Sequence, residues 1–381
     1  STLLASSAAS DVYKRQGEYY MKPIDISKFQ KSALKNVDGI SAGFSNPDTW
    51  IHTGNYALNF RVSGDFYKGF PLEGKMTLLA GDSGTGKSYI AIGNIAKWCQ
   101  DNNVLPLIID TENALDRDWV EAFNFDPDGY CLYYRASILD KIAGIMSDFI
   151  EGYKKEYSDM PYNERPKVLI IIDSLGMAIT PTEQKQFEDG DMKGDLGRKQ
   201  KQIYSICRNF MASCGAEPIG MLCTQHTYAS QDLFNPDAVI AGGKGLEFTP
   251  SIVIAMSKNK LKEDEDGKKT TDVKGIKVRA TVRKTRYTQP FQDVKFNIPW
   301  DSGMDPYSGL FELFAEQLMF KGKYILSKEG SWVAYYSLHT GEQIFKKYRK
   351  DITNEDYDMI MKDYVNATSS TLLVTEEGNK E

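Results

Sequence analysis

A glycine-rich turn between an apolar segment and a helical segment constrains this sequence more than any other feature. Residues 81–88 read Gly-Asp-Ser-Gly-Thr-Gly-Lys-Ser and match GxxxxGK[ST], the phosphate-binding loop. Residues 76–80 before the turn are mostly apolar, and Ile90, Ile92, Ile95 and Trp98 follow it with helical spacing. An incidental glycine-rich turn would not require these flanks. The stretch therefore predicts a strand, a phosphate loop and a helix.

The residue types in this loop suit the polyphosphate of ATP. Glycines let the backbone curl so that successive N–H groups point at phosphate oxygens. We expect Lys87 to reach the β- and γ-phosphates and the Ser88 hydroxyl to bind Mg²⁺.

A second apolar segment ends in the carboxylate that a nucleotide-bound Mg²⁺ requires. Residues 168–172 are aliphatic, and Asp173 follows them. A strand ending in aspartate after a phosphate loop predicts a carboxylate that holds Mg²⁺ through water, so Ser88 and Asp173 are the predicted metal site. The residues predicted to bind ATP are Gly81, Asp82, Ser83, Gly84, Thr85, Gly86, Lys87, Ser88 and Asp173.

Polar residues follow two further apolar segments. Asp110 and Glu112 come after the segment 104–109, and ligands of open α/β sheets lie at such strand ends. We predict that Glu112 deprotonates the attacking water, with Asp110 supporting it; the alternative is that Asp110 or Thr111 only caps a helix. After the segment 218–223, Gln225 or His226 could sense the γ-phosphate, although a histidine at a strand end is more often structural.

Apolar strands alternate with helical segments from residue 74 onward. This alternation predicts an α/β fold with a mostly parallel central sheet flanked by helices. After residue 275 the apolar positions alternate with period two, which predicts an antiparallel extension of the sheet. The predicted strands are 76–80, 104–109, 131–134, 167–172, 218–223 and 251–256, and the predicted helices are 87–100, 115–123, 137–157, 197–213, 306–320 and 354–365. A hairpin is expected over 323–345 and a disordered tail from Thr368.

The chain divides into four parts. Residues 1–20 lack the features of a signal peptide, and we expect them to be disordered or not native, with the native start near Met21. Residues 21–56 are predicted to form an N-terminal arm that docks on another subunit; capping its own sheet is the alternative. Residues 57–320 are the predicted core, and residues 321–381 are a small C-terminal region.

Two polar connections interrupt the core, at 180–197 and 228–245. Connections of this length in a compact domain are functional or disordered. Basic and aromatic side chains with exposed amides suit a single strand of DNA, although a solvated helix face would explain the first basic run as well. The predicted DNA-binding residues are Arg198, Lys199, Lys201, Gly242, Gly243 and Lys244.

Composition limits where nucleic acid can bind. With 46 Lys and Arg against 52 Asp and Glu, the net charge is −6, so any contact with DNA must be local. The charged run 258–274 is interpreted as a solvated hairpin tip or an electrostatic contact. The five cysteines form no CxxC pair, and no apolar run approaches the ~20 residues that span a bilayer. We therefore expect a cytoplasmic protein with reduced thiols and no membrane contact.

Taken together, residues 51–318 resemble the RecA family of homologous-recombination ATPases, and most of all the UvsX recombinases of tailed phages. Residues 81–88 resemble the family's Walker A motif, residues 109–116 its catalytic-glutamate segment, and residues 172–174 its Walker B motif. Residues 225–228 are similar to the γ-phosphate sensor of the phage proteins, which favours His226 for that role. The resemblance implies a RecA-like P-loop ATPase core, with DNA-binding loops at 180–197 and 228–245.

The segment Lys284-Thr285-Arg286 resembles the family's Lys-x-Lys segment, which reaches the ATP of a neighbouring subunit. We expect Lys284 and Arg286 to project from one face of a strand, where an opposing anion would offset their repulsion; a strand edge kept soluble by charge is the alternative. The predicted catalytic residues are then Glu112, Lys87, His226, Lys284 and Arg286.

The resemblance implies an ATP-dependent DNA recombinase that uses ATP and Mg²⁺. Such a protein forms helical filaments on single-stranded DNA, pairs it with homologous duplex DNA and exchanges strands in recombination, repair and recombination-dependent replication. The implied partners are these DNAs, further copies of the chain, a phage single-strand-binding protein and a recombination mediator, in the cytoplasm of an infected bacterium. The alternatives are a hexameric DNA helicase with the same core and a non-catalytic ATP-switched scaffold, against which Glu112 argues.

Overall fold

The computed structural model describes residues 47–191, 197–230, 238–262 and 270–377. The predicted leader and the arm up to residue 46 lie outside the described residues, as do residues 192–196 and 231–237 of the two predicted DNA-binding loops. Side chains from residue 370 onward and that of Lys244 are likewise outside the description.

A nine-stranded sheet forms the centre of the described part of the chain, in the order β11-β10-β9-β3-β7-β6-β4-β5, with β8 beside β7. In chain order, the described strands up to residue 299 are β1 (Trp50–Ile51), β2 (Phe70–Pro71), β3 (Met76–Gly81), β4 (Val104–Asp110), β5 (Leu132–Arg135), β6 (Lys167–Asp173), β7 (Ile219–Tyr228), β8 (Val239–Ile240), β9 (Ile252–Leu261), β10 (Gly275–Lys284) and β11 (Gln292–Pro299). Of these, β1 and β2 pair with each other outside the central sheet. Strands β9, β3, β7, β6, β4 and β5 run parallel, and β10 and β11 continue the sheet antiparallel. The predicted fold class is confirmed.

Helices cover both faces of this sheet. They are α1 (Tyr56–Ser63), α2 (Tyr89–Ala96, π-helical, continued by Lys97–Asp101), α3 (Arg117–Glu121), α4 (Leu139–Tyr157), α5 (Pro181–Glu188), α6 (Arg198–Cys214), α7 (Lys244–Phe248), α8 (Leu310–Glu312, continued by the π-helical Leu313–Gln317) and α9 (Asn354–Glu377). Successive strand residues point to opposite faces. Leu78 and Ile170 therefore pack in one core, with α4 and α6, whereas Leu79 and Ile171 pack in the other, with α2.

The register of the parallel strands brings their carboxyl ends to one edge. Gly81 at the end of β3 lies beside His226 on β7, and Asp110 at the end of β4 lies beside Asp173 at the end of β6. Four segments that are far apart in sequence thus deliver polar residues to the same edge of the sheet.

The first predicted DNA-binding loop begins with a helix that the sequence analysis did not predict. Thr180 Oγ1 accepts a hydrogen bond from the Glu183 amide at 3.0 Å, and the Glu183 carboxylate accepts one from the Thr180 amide at 2.7 Å. Pro181 occupies the first turn of this helix, α5. Thr-Pro-Thr-Glu is a capping-box sequence with proline at the first helical position, so the signal was present.

The core begins before residue 57. Strand β1 pairs with β2, Ile51 is fully buried, and Asn55 caps α1 by accepting a hydrogen bond from the Leu58 amide at 2.9 Å. Residues 47–56, which we assigned to the arm, therefore belong to the compact unit that starts at Pro47.

The C-terminal region contains more structure than predicted. Two short strands, β12 (Met319–Phe320) and β13 (Lys323–Tyr324), are followed by a three-stranded sheet rather than a hairpin: β14 (Leu326–Glu329), β15 (Trp332–Tyr336) and β16 (Gln343–Tyr348). Helix α9 continues to Glu377, past the predicted end at residue 365 and into the stretch expected to be disordered. None of the helices described reaches both the length and the apolar character that a membrane span requires.

Candidate nucleotide-binding and catalytic site

The phosphate loop leaves the buried strand β3 and enters α2. Gly84 and Gly86 have φ angles of +67° and +89°, in the region that side chains disfavour. A Cβ on Gly81 would lie 2.7 Å from the Met256 carbonyl oxygen. The glycines therefore permit both the curl of the loop and its close approach to β9.

Lys87 points back into the loop. Its ammonium is buried and donates hydrogen bonds to the carbonyl oxygens of Gly81 and Asp82, both at 2.9 Å. Burial lowers the pKa of Lys87, although the carboxylates of Asp173 and Glu112 act in the opposite direction. Because the partners of the ammonium are neutral carbonyls, an anionic phosphate is a stronger acceptor for it.

Asp173 and Ser88 lie together, as a metal site between them requires. Asp173 accepts a hydrogen bond from the Thr224 hydroxyl and is also within hydrogen-bonding reach of Ser88. Burial raises the pKa of Asp173, and the hydrogen bonds from Thr224 and Ser88 oppose this shift. A hydroxyl and a carboxylate are hard oxygen ligands that suit Mg²⁺ completed by water and phosphate oxygens. Among the described residues, no cluster of three or more His, Cys, Asp or Glu side chains could hold a metal by itself.

Asp110 is buried and holds the turn that carries Glu112. Its carboxylate accepts hydrogen bonds from the amides of Glu112 at 3.0 Å and Asn113 at 2.8 Å, and from the Tyr133 hydroxyl at 2.9 Å. Helix α3 is capped by Asp116 instead, which excludes helix capping as the role of Asp110 or Thr111.

Glu112 receives contacts from two other strand ends. Its Oε1 accepts a hydrogen bond from Ser174 Oγ at 2.8 Å and lies 3.2 Å from His226 Nε2. Thr111 ties the same turn to β6 by donating a hydrogen bond to the Ser174 carbonyl oxygen at 2.6 Å. About a third of the Glu112 side chain remains exposed, so water can reach the carboxylate.

Strand β7 continues beyond its predicted end and includes both candidate sensors. Gln225 is completely buried, whereas His226 is partly exposed and faces Glu112. The His226 carbonyl oxygen accepts a hydrogen bond from the Ala241 amide at 2.9 Å, and β8 pairs with Thr227 and Tyr228. The strand that presents His226 therefore continues directly into the second predicted DNA-binding loop.

The second predicted DNA-binding loop approaches α6, the helix that follows the first predicted loop. Arg198 and Lys201 are exposed on this helix, but Lys199 donates a hydrogen bond to the Gly176 carbonyl oxygen at 2.8 Å. Gly242 and Gly243 have φ angles of +103° and +80°, and a Cβ on Gly243 would lie 3.2 Å from an oxygen of the Gln200 side chain. Gly243 thus lies against α6, beside the predicted DNA-binding residues Lys199 and Lys201.

The predicted arrangement of Lys284 and Arg286 on one strand face is wrong. Strand β10 has an irregular register between Val282 and Lys284 and ends at Lys284, so Arg286 lies in the following turn. The Lys284 ammonium donates a hydrogen bond to the Phe248 carbonyl oxygen at the end of α7. Burial lowers the pKa of Lys284, and the nearby charge of Arg286 lowers it further. The two cations remain neighbours, although not on one strand.

Three residues that contact the site were given no role of their own in the prediction: Ser174, Thr224 and Lys258. Ser174 directly follows Asp173, and Thr224 directly precedes Gln225. Their position at a predicted strand end was the feature that could have indicated them. Lys258, which donates a hydrogen bond to the Ser83 carbonyl oxygen at 2.6 Å, begins the charged run 258–274, for which the sequence predicts a solvated hairpin tip or an electrostatic contact. In fact Lys258 lies within β9.

The fold and these residues define a P-loop ATPase core of the RecA-like class. No protein-family model matches the chain. The chain is 24% identical over 316 residues to the recombination and repair protein of Enterobacteria phage T4, covering 82% of this chain and 74% of that protein. It is 25% identical over 319 residues to Protein RecA of Corynebacterium efficiens, with the same two coverages. With Protein RecA of Mycobacterium sp. strain KMS it shares 24% identity over 345 residues, 89% of each chain. The predicted resemblance to the RecA family, and to its phage members, is confirmed.

Proposed function

We propose that this protein is an ATP-dependent DNA recombinase that assembles on single-stranded DNA, pairs it with homologous duplex DNA and exchanges the strands. The observation that carries the proposal is the continuity of β7. His226 on this strand contacts the predicted base Glu112, and two residues later the strand enters the second predicted DNA-binding loop (228–245), called here the glycine-bearing loop. The names of the relatives, a recombination and repair protein and RecA proteins, support the same function.

The chemistry proposed at the sheet edge is hydrolysis of ATP. Lys87 and the phosphate-loop amides bind the phosphates, and Ser88 with Asp173 would hold Mg²⁺, which neutralises charge on the phosphate oxygens. Glu112 orients a water molecule and accepts its proton. Ser174 and His226 hold the Glu112 carboxylate in place, and its charge is near enough to Lys87 to raise the pKa of that ammonium.

The second part of the proposal concerns DNA and other copies of the chain. Arg198, Lys201, Lys244 and the amides of Gly242 and Gly243 bind the backbone of one DNA strand, while Watson–Crick pairing between DNA strands supplies the sequence recognition. Lys284 and Arg286 reach the ATP of the next subunit, which makes hydrolysis depend on assembly into a helical filament. Release of the filament then follows hydrolysis.

The setting we propose is the cytoplasm of a phage-infected bacterium. A phage single-strand-binding protein and a recombination mediator are the accessory partners that the resemblance to the phage recombinases implies. A hexameric helicase with the same core is the second candidate, since it would use the same phosphate loop and base.

The decisive experiment is pairing of labelled single-stranded DNA with supercoiled duplex DNA. We expect joint molecules only with homologous duplex, ATP and Mg²⁺, and none with the Lys87→Ala variant. Filaments on single-stranded DNA should appear in electron micrographs under the same conditions. Closed rings that unwind duplex DNA without homologous pairing would instead establish the helicase.

A further inference from the structure

A second lysine approaches the phosphate loop from a neighbouring strand. In the parallel pair of β3 and β9, Gly81 lies beside Met256. The phosphate loop turns away at Gly81, but β9 continues for five residues beyond Met256 to Leu261. Lys258 is two positions after Met256 and so projects from the same face of β9, beside the loop.

The contacts of Lys258 are with the loop itself. Its ammonium donates a hydrogen bond to the Ser83 carbonyl oxygen at 2.6 Å. A Cβ on Gly84 would lie 2.6 Å from the same nitrogen, so the absence of a side chain at Gly84 leaves the space that the ammonium occupies. Lys258 forms no ion pair with a carboxylate of the described residues.

Two lysines therefore bind carbonyl oxygens of one short loop. Lys87 holds Gly81 and Asp82 from inside, and Lys258 holds Ser83. After burial, which lowers the pKa of Lys87 most, the charge of Lys258 lowers it a little further, because two nearby ammonium groups repel one another. Two positive charges whose hydrogen-bond partners are neutral carbonyl oxygens are stabilised when a polyanion binds between them. The phosphates of a nucleotide are such a polyanion.

We propose that Lys258 is a second phosphate-binding lysine of this site, supplied by the same subunit, and that it makes nucleotide affinity rise with the charge of the phosphate chain. The inference rests on the proposed ATP site. When ATP binds, the Lys258 ammonium exchanges the Ser83 carbonyl for an oxygen of the terminal phosphate. ADP, which lacks that phosphate, gains less from the exchange, so Lys258 favours ATP over ADP.

The test measures binding of fluorescent ATP and ADP analogues with Mg²⁺ and without DNA. Lys258→Ala should weaken ATP binding about tenfold, as expected for loss of one charge-assisted hydrogen bond, and ADP binding by a smaller factor. Lys258→Arg should retain most of the ATP preference. Lys260→Ala is the matched control, because Lys260 is exposed on the same strand two residues farther from the loop. This variant should bind both nucleotides as the wild type does.

Lys258→Gln separates charge from structure, because glutamine can still donate a hydrogen bond to the Ser83 carbonyl oxygen. Wild-type ATP preference in Lys258→Gln, or equal losses for ATP and ADP in Lys258→Ala, would show a structural bond and overturn the proposal. Unchanged ATP binding by Lys258→Ala would also overturn the proposal, provided that Lys87→Ala binds ATP poorly. If Lys87→Ala also binds ATP normally, the proposed nucleotide site itself is wrong. If the wild-type protein prefers ATP as expected but fails to pair DNA, only the proposed recombinase function is contradicted, and the role of Lys258 stands.

Discussion

His226 Nε2 lies 3.2 Å from Glu112 Oε1, the same oxygen that accepts a hydrogen bond from Ser174 Oγ. These three residues come from the ends of three strands, β7, β4 and β6, of which β4 and β7 are not adjacent in the sheet. The orientation of Glu112 therefore depends on the position of β7. Because β7 continues into the glycine-bearing loop, a displacement of that loop by DNA would alter the contact between His226 and Glu112.

Replacing Glu112 by Gln should separate binding from hydrolysis. The amide oxygen can still accept the hydrogen bond from Ser174, so affinity for ATP should stay within about twofold of wild type, but the side chain can no longer take a proton from water. Turnover should fall by roughly 10²–10⁴. Phosphate release and nucleotide binding measured on the same preparation test this expectation, and normal hydrolysis would assign the base to another residue.

His226→Ala should chiefly affect stimulation by DNA. Without the imidazole, Glu112 keeps its hydrogen bond from Ser174 and retains part of its orientation, so hydrolysis without DNA should change less than the increase that DNA produces. His339→Ala is the control, since His339 lies in the C-terminal region and contacts Asp363 at 3.4 Å. Steady-state ATPase rates measured with and without single-stranded DNA give the factor by which DNA stimulates hydrolysis. An equal loss of rate in both conditions would contradict a role for His226 in coupling DNA binding to hydrolysis.

Asp173→Asn should stabilise the nucleotide-free protein while abolishing hydrolysis. Burial raises the pKa of Asp173 above its ordinary value of 3.8, so the folded state binds this proton more tightly than the unfolded state does. Stability is therefore lost as the pH rises above 3.8, and the uncharged Asn removes that loss. Because Asn also loses the attraction of Asp173 for the Lys87 ammonium, we expect a net gain of only about 0.5–1 kcal/mol at pH 7 that shrinks towards pH 4.

Urea unfolding without nucleotide or Mg²⁺, at pH 7 and pH 4.5, measures the effect of Asp173→Asn. Asp110→Asn provides the contrast, because the Asp110 carboxylate accepts several hydrogen bonds and its replacement should destabilise the protein by about 1 kcal/mol or more. A loss of stability in Asp173→Asn equal to that in Asp110→Asn would show that the charge of Asp173 stabilises the fold.

DNA binding should weaken steeply with salt even though the net charge of the chain is −6. Each phosphate contacted on a single strand contributes about −0.7 to the slope of log K against log salt concentration. Arg198→Ala/Lys244→Ala should therefore reduce the magnitude of the slope by about 1.4. The control is Lys328→Ala/Lys346→Ala, which removes two lysines already paired with Glu316 and Glu329. An unchanged slope in the first variant would place the DNA site elsewhere.

Mixed filaments test whether Lys284 and Arg286 act on a neighbouring subunit. Lys284→Ala/Arg286→Ala protein and Glu112→Gln protein should each hydrolyse ATP poorly alone. When they are mixed, some junctions place an intact base opposite an intact cationic pair, and DNA-stimulated hydrolysis should recover. A cationic group supplied at the γ-phosphate by a neighbour is worth about 10³–10⁵ in rate. No recovery in filaments shown to contain both proteins would contradict action between subunits.

Much of the site could be predicted because its signals are local. The phosphate loop is a run of consecutive residues, and Asp173 directly ends an aliphatic strand, so neighbouring residues alone indicate both. The alternation of strands and helices likewise indicates a parallel sheet, whose strand ends must share an edge. Helix α5 was also encoded locally, in its capping box, but the polar composition around it favoured a loop.

The phosphate loop, the acidic strand ends and the class of fold all follow from residues that are close along the chain. Which side chains contact those residues depends on how distant segments pack together. The register of β9 against β3 places Lys258 at the phosphate loop, and the end of β10 at Lys284 leaves Arg286 outside the strand. Such contacts depend on pairing between strands that are distant in sequence, and a shift of one residue would turn each side chain to the opposite face.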